Sequence, residues 1–159
     1  MRFDKLTNRL QQAIQEAQSL ALALDHQFIE TEHLLSALIQ QQGGSTQALL
    51  VQSGVDIAVL QKNLQQRLDS MAKVAGDSGD VHFGTGLSRL FNAAEKAAIK
   101  AGDQFVSSAQ LISLLIKDNK GVGALLKDAG LNAHKLAQAI EKMSGGEKVS
   151  TQGAEDEWQ

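Results

Sequence analysis

The chain has 159 residues, enough for one domain or two small ones with a real core. It holds no proline and no cysteine, 43% hydrophobic and 4% aromatic residues, and a formal net charge of −3. Without proline the commonest helix breaker is gone, which points to an all-α fold; without cysteine there are no disulfides, thiolate metal sites or cysteine nucleophiles, which suits a cytoplasmic setting.

From the N-terminus, "MRFDKLTNRL" lacks the apolar core of a signal peptide, and no later apolar run approaches the roughly 18 residues of a membrane span. Leu6, Leu10, Ala13, Ile14, Ala17, Ala21 and Leu24 then recur at helical spacing and predict a long first helix. A corner follows at Gln27-Phe28. The second helix runs through "TEHLLSALI", with Thr31 as its expected N-cap. Leu49-Leu50 mark a third helix of a turn or two, stopped by Gly54, where a left-handed residue is needed. Asp56 caps a fourth, which carries Ile57, Leu60, Leu64 and Leu68.

After a glycine-rich linker over residues 72–81 the same sentence is spoken again. "QFIETEHLLSALI" (27–39) and "QFVSSAQLISLLI" (104–116) share six of 13 positions. At an offset of 77, Leu10 maps to Leu87, Ile14 to Phe91, Ala17 to Ala94 and Ala21 to Ala98. At an offset of 76, "ALLVQSGV" (48–55) maps to "ALLKDAGL" (124–131). Residues 5–71 and 82–143 are therefore two copies of one four-helix unit, each covering the other's apolar face. In the second copy, Ser107 lies at capping-box distance before Gln110, and Gly130 and Asn132 repeat the stop and start signals of Gly54 and Asp56. The last stretch, "SGGEKVSTQGAEDEWQ" (144–159), has no periodicity and the composition of a flexible linker, with Trp158 expected to be exposed.

Residues 1–143 carry 14 Lys/Arg and 14 Asp/Glu, so the negative charge comes from the tail, where four acids face Lys148. A neutral domain with few aromatics lacks the field and the stacking platforms of nucleic-acid binders. "DHQFIETEH" offers Asp25, His26, Glu30, Glu32 and His33, and a metal-dependent hydrolase would use His26, Glu30 and His33. The two histidines are seven apart across a corner, however, not four apart on one helix face. Copy two places Ala109 and Gln110 where copy one has Glu32 and His33, so the acid and the histidine read as local helix-start and packing residues rather than as a shared site. "FGTGLS" and "GGEKVS" both lack the spacing of a phosphate loop, and no serine sits in a nucleophile elbow. The residues describe a non-catalytic helical module with no metal and no cofactor of its own, whose default role is to bind another protein.

The doubled unit, "TEHLLSALI", the "GGS…ALL…SGV" run and the "GDQFVSS" corner resemble the Clp N-terminal repeat domain over residues 1–143. The opening "MRFDKLTNRLQQAIQEAQSLAL" and the tail "GGEKVSTQGAEDE" are similar to the disaggregase branch of that family, in which such a tail leads into an AAA+ module absent from this sequence. The resemblance implies an ATP- and Mg-using homohexameric parent, working with the DnaK chaperone system, whose N-terminal domains engage unfolded or aggregated polypeptide before threading. The domain alone is expected to be monomeric. The alternative within the family is an adaptor-docking domain of a protease-linked Clp unfoldase. The family's substrate patch carries over to Thr7 in "KLTNR" and Asp103 in "AGDQF", both read as exposed, with Ala93, Ala97, Ala109 and Gln110 beside them. Related chains carry leucines at Ala93 and Ala97 and a Glu-Leu pair at Ala109-Gln110, so the groove here is expected to be shallower and more polar.

Overall fold

The computed structural model describes residues 3–74 and 80–157, with side chains through Asp156. Copy one consists of α1 (Asn8–Ala23), α2 (Thr31–Gln40), α3 (Thr46–Gln52) and α4 (Ile57–Ser70). Copy two repeats them as α5 (Thr85–Ala101), α6 (Ser108–Leu115), α7 (Val122–Asp128) and α8 (Ala133–Ser144). The expected eight-helix, two-repeat architecture is what folds. Asp56 caps α4 by accepting from Val59 N at 3.2 Å, and Asn132 caps α8 by accepting from Lys135 N at 2.9 Å. Ser107 caps α6 through Gln110 N.

The apolar positions of the repeat form one continuous core. Leu10, Leu34, Leu35, Leu49, Leu50 and Leu60 from copy one and Leu111, Ile112, Leu115 and Leu126 from copy two are fully buried in it. The shorter helices exchange partners: α3 packs on α8 and α4 on α7, so each copy's last two helices close against the other's. Within each copy the first helix packs on the second, and the third and fourth add burial across the repeat boundary, so the two copies complete one core together.

Two details depart from an all-helical reading. Phe28–Ile29 (β1) pairs in parallel with His82–Phe83 (β2), in register Phe28↔His82 and Ile29↔Phe83. At the symmetry-related place, Leu6 bridges in parallel to Val106. Gly84 N donates to Ile29 O at 3.0 Å, and Thr7 N donates to Val106 O, also at 3.0 Å. The segment that enters each copy's long helix therefore completes the corner of the other copy. The second departure is at α2, whose N-cap is Glu30 rather than Thr31. Thr31 is already helical because the His33 ring reaches back to take Glu30 N at 2.8 Å, which starts the helix one residue early.

Candidate functional site

The polar face around Thr7 and Asp103 is built where the N-termini of α1 and α6 meet. Thr7 is the N-cap of α1, and its hydroxyl accepts from Leu10 N. The same hydroxyl donates to the carboxylate of Glu155, and Ser108 N donates to that carboxylate at 3.0 Å. Thr7 is fully buried, which corrects the expectation of an exposed residue in the first turn of the helix. Asp103 is half-buried, and its carboxylate accepts from Val149 N at 2.8 Å.

Those partners lie in the stretch expected to be a flexible linker. Residues 147–156 instead pack back across the face as a strap. Val149 O accepts from both Gln104 N (2.8 Å) and Phe105 N (3.1 Å), and Gln152 O accepts from Asn8 N (2.8 Å). Lys148 Nζ donates to Ala101 O, and Arg9 pairs with Asp156 at 2.7 Å. Val149, Ala154 and Glu155 are buried. Burial pushes the Glu155 carboxyl above its usual range, while hydrogen bonds from Thr7 and Ser108 pull it back. A faint signal for the strap is present in the sequence: Lys73-Val74 follows α4 and Lys148-Val149 follows α8. Val74 N donates to Asp25 O, so in both copies the chain leaving the fourth helix returns past the corner.

Beside the strap an open cleft of about 370 Å³ has an apolar wall of Ala98, Ile99, Phe105 and Val106, with Lys5, Glu95 and Asp103 as its charged lining. Ile99 is 78% exposed, an unusual setting for an isoleucine. Neither Ala93, which is exposed, nor Ala97, which is half-buried, lines this cleft, although both lie on α5. Ala109 is 2% exposed and belongs to the core, so it presents no surface at the corner. Gln110 is half-buried, with its Oε1 unpartnered. Of the six residues expected at the site, the structure joins Thr7 and Asp103 through the strap and leaves the two helix alanines outside the cleft. Ile99 and Phe105 were missed because an apolar residue near a helix end looks like any other core position in sequence.

The histidines of copy one do meet, against the expectation that the corner would separate them. His26 Nδ1 lies 2.8 Å from His33 Nε2, and both rings are buried. His33 Nδ1 accepts from Glu30 N, so the neutral ring carries its proton on Nε2 and donates to His26. Burial, and then the neighbouring His26, lower the His33 pKa to about 4; burial and Lys73 lower that of His26. Both nitrogens of His33 are thus committed within the protein. Among the described residues, no group of three or more His, Cys, Asp or Glu is placed to hold a metal ion, and no helix is long and apolar enough to cross a membrane.

Residues 5–129 match the family model described as the Clp repeat (R) N-terminal domain. Over 156 residues the chain is 43% identical to "Chaperone protein ClpB" of Pseudomonas putida and equally so to that of Vibrio cholerae, covering 98% of this chain and 18% of each relative. The chain therefore spans under a fifth of the length of these curated relatives. The fold is shared with the Hsp104 N-terminal domain of Candida albicans, with a TM-score of 0.82 at 14% identity, covering 95% of this chain and 99% of that one.

Proposed function

This chain belongs to the Clp repeat N-terminal domain family, and from that membership we propose that it is the substrate-engaging N-terminal domain of a ClpB-like protein disaggregase. In this reading it captures unfolded or aggregated polypeptide and hands it to a hexameric ATP-driven ring that works in the cytoplasm with the DnaK chaperone system. ATP and Mg²⁺ belong to other modules of that parent, and the domain itself performs no chemistry. The observation that carries the reading is the 43% identity to ClpB chaperones over 98% of the chain.

The polypeptide would lie across the face that holds Thr7 and Asp103, with apolar side chains entering the cleft at Ile99 and Phe105. Main-chain donors at Gln104, Phe105 and Asn8, which hold the extended strap in this structure, are of the kind that suits a ligand whose backbone is extended and whose sequence is of secondary importance. One such face should bind weakly, with a Kd on the order of tens of micromolar, and six in a ring would compensate by avidity. NMR shift mapping with a permanently unfolded client tests the reading. Perturbations are expected at Ile99, Asp103–Phe105 and the start of α1; changes confined to copy one's far face would overturn the assignment.

A further inference from the structure

The two halves of the molecule seat a carboxylate at equivalent places, but from different sources. In copy one, Glu30 precedes α2, and its carboxylate lies directly over Gly84 at the start of α5; a Cβ on Gly84 would collide with it. The equivalent of Gly84 is Thr7, and that of Glu30 is Ser107, whose hydroxyl is spent capping α6. Copy two therefore supplies no acid of its own. The seat at the N-termini of α1 and α6 nevertheless holds one, because Glu155 arrives from the strap. Ser108 is 1% exposed, and its hydroxyl faces the same carboxylate without closing a hydrogen bond of normal geometry. The seat has two donors, two helix N-termini and a spare buried hydroxyl for a group that the repeat itself no longer provides.

We infer that this seat is a carboxylate-binding subsite of the polypeptide face, and that residues 147–155 are its resident occupant, displaced when an extended client carrying an acidic side chain binds. The inference rests on the proposed polypeptide-binding function. The strap already makes the contacts an extended chain would make: Val149 O accepts from Gln104 N and Phe105 N, Val149 N donates to the Asp103 carboxylate, and the acid follows six residues later. Client and strap need the same donors at Gln104, Phe105, Asn8 and Ser108, so they exclude one another. Binding a client thereby frees the strap from the domain.

The chain has no cysteine, so a single engineered disulfide can lock the strap. Asn8→Cys with Gln152→Cys joins residues whose backbones already hydrogen-bond at 2.8 Å. The probe is reduced, carboxymethylated α-lactalbumin, which is unfolded and acidic. The oxidised protein is expected to bind it at least tenfold more weakly than the same protein after reduction. Val149→Ser with Glu155→Ala, which frees the strap, is expected to bind it at least threefold more tightly than the parent. The probe with its carboxylates esterified is expected to bind the freed protein several-fold more weakly. Equal binding by oxidised and reduced protein overturns the displacement, and equal binding of esterified probe overturns the carboxylate subsite, while the polypeptide-binding function stands in both cases. No binding by any form, the freed variant included, overturns that function and this inference together.

Discussion

Gly54 and Gly130 face each other across the repeat boundary so closely that a Cβ on Gly54 would lie 2.9 Å from Gly130 O, and one on Gly130 would lie 2.5 Å from Gly54 O. Flanking them, Asp56 N donates to Ala129 O and Asn132 N to Ser53 O, both at 2.9 Å. Each glycine also has a positive φ, +96° and +110°. The two positions therefore require glycine twice over, for backbone conformation and for space. Gly130→Ala should cost on the order of 3 kcal/mol of stability, with Gly54→Ala somewhat milder because its neighbour is further away. Denaturant unfolding of the two variants measures both costs; loss below about 1 kcal/mol for Gly130→Ala would contradict the close approach.

Thr7→Ala should lower stability by about 1–2 kcal/mol, since it removes an N-cap and leaves the buried Glu155 carboxylate one donor short. Asp103→Ala should cost less, because that carboxylate is only half-buried and serves a single strap amide. Amide exchange should quicken at Val149 in the Asp103 variant and at Ser108 in the Thr7 variant. Unchanged melting for Thr7→Ala would mean that the strap contact carries no energy.

The histidine pair fixes the sign of the acid response. His33 is held neutral in the fold, with its pKa lowered from 6.5 to about 4, so the unfolded chain binds the extra proton. Stability is therefore fully present above pH 6.5 and is lost as pH falls toward about 4, by on the order of 3 kcal/mol for a shift of this size. Glu155 acts in the opposite sense: its raised folded pKa favours the docked strap below its unfolded value of 4.5 and weakens docking as pH rises through the folded one. Denaturant midpoints across this range, with His33→Gln as the control, should show a fall toward acid that is smaller in the variant, where only the buried His26 keeps a lowered pKa.

Ile99→Asp should weaken binding of an unfolded client several-fold while shifting stability by about 0.5 kcal/mol or less, because the side chain is 78% exposed. Ala97→Leu should change binding less, since Ala97 does not line the cleft. Fluorescence anisotropy with a labelled unfolded peptide compares the two. A stronger effect from Ala97 than from Ile99 would move the site along α5.

Copy number, helix order, most caps and the core were legible in the sequence because each depends on spacing: Leu10 and Leu87, or Gly54 and Gly130, announce their equivalence by position alone. Beyond the repeated Lys-Val pair after α4 and α8, the strap was not legible. It docks through the main chain of Val149 and Gln152, which no side-chain pattern encodes, and through an acid that composition places in solvent. The His26–His33 contact was hidden for a related reason, since a corner's path decides whether two rings seven residues apart converge or separate. The family resemblance pointed to Thr7 and Asp103 but not to their burial, because the residues that cover them lie about 150 and 50 positions away.

Through the reciprocal bridges Ile29↔Phe83 and Leu6↔Val106, each copy's entry segment pairs its main chain with its neighbour's corner. A copy alone is half of an interface, with an unsatisfied corner and an unopposed glycine. Two separate chains, each holding one copy, should therefore pair as a twofold dimer with exchanged entry segments, and the tandem protein is such a dimer fused head to tail. Residues 1–74 and 80–159 produced as independent chains should fold when mixed and not apart, which circular dichroism can read directly; an independently folded half would show that the fusion is not needed for the core.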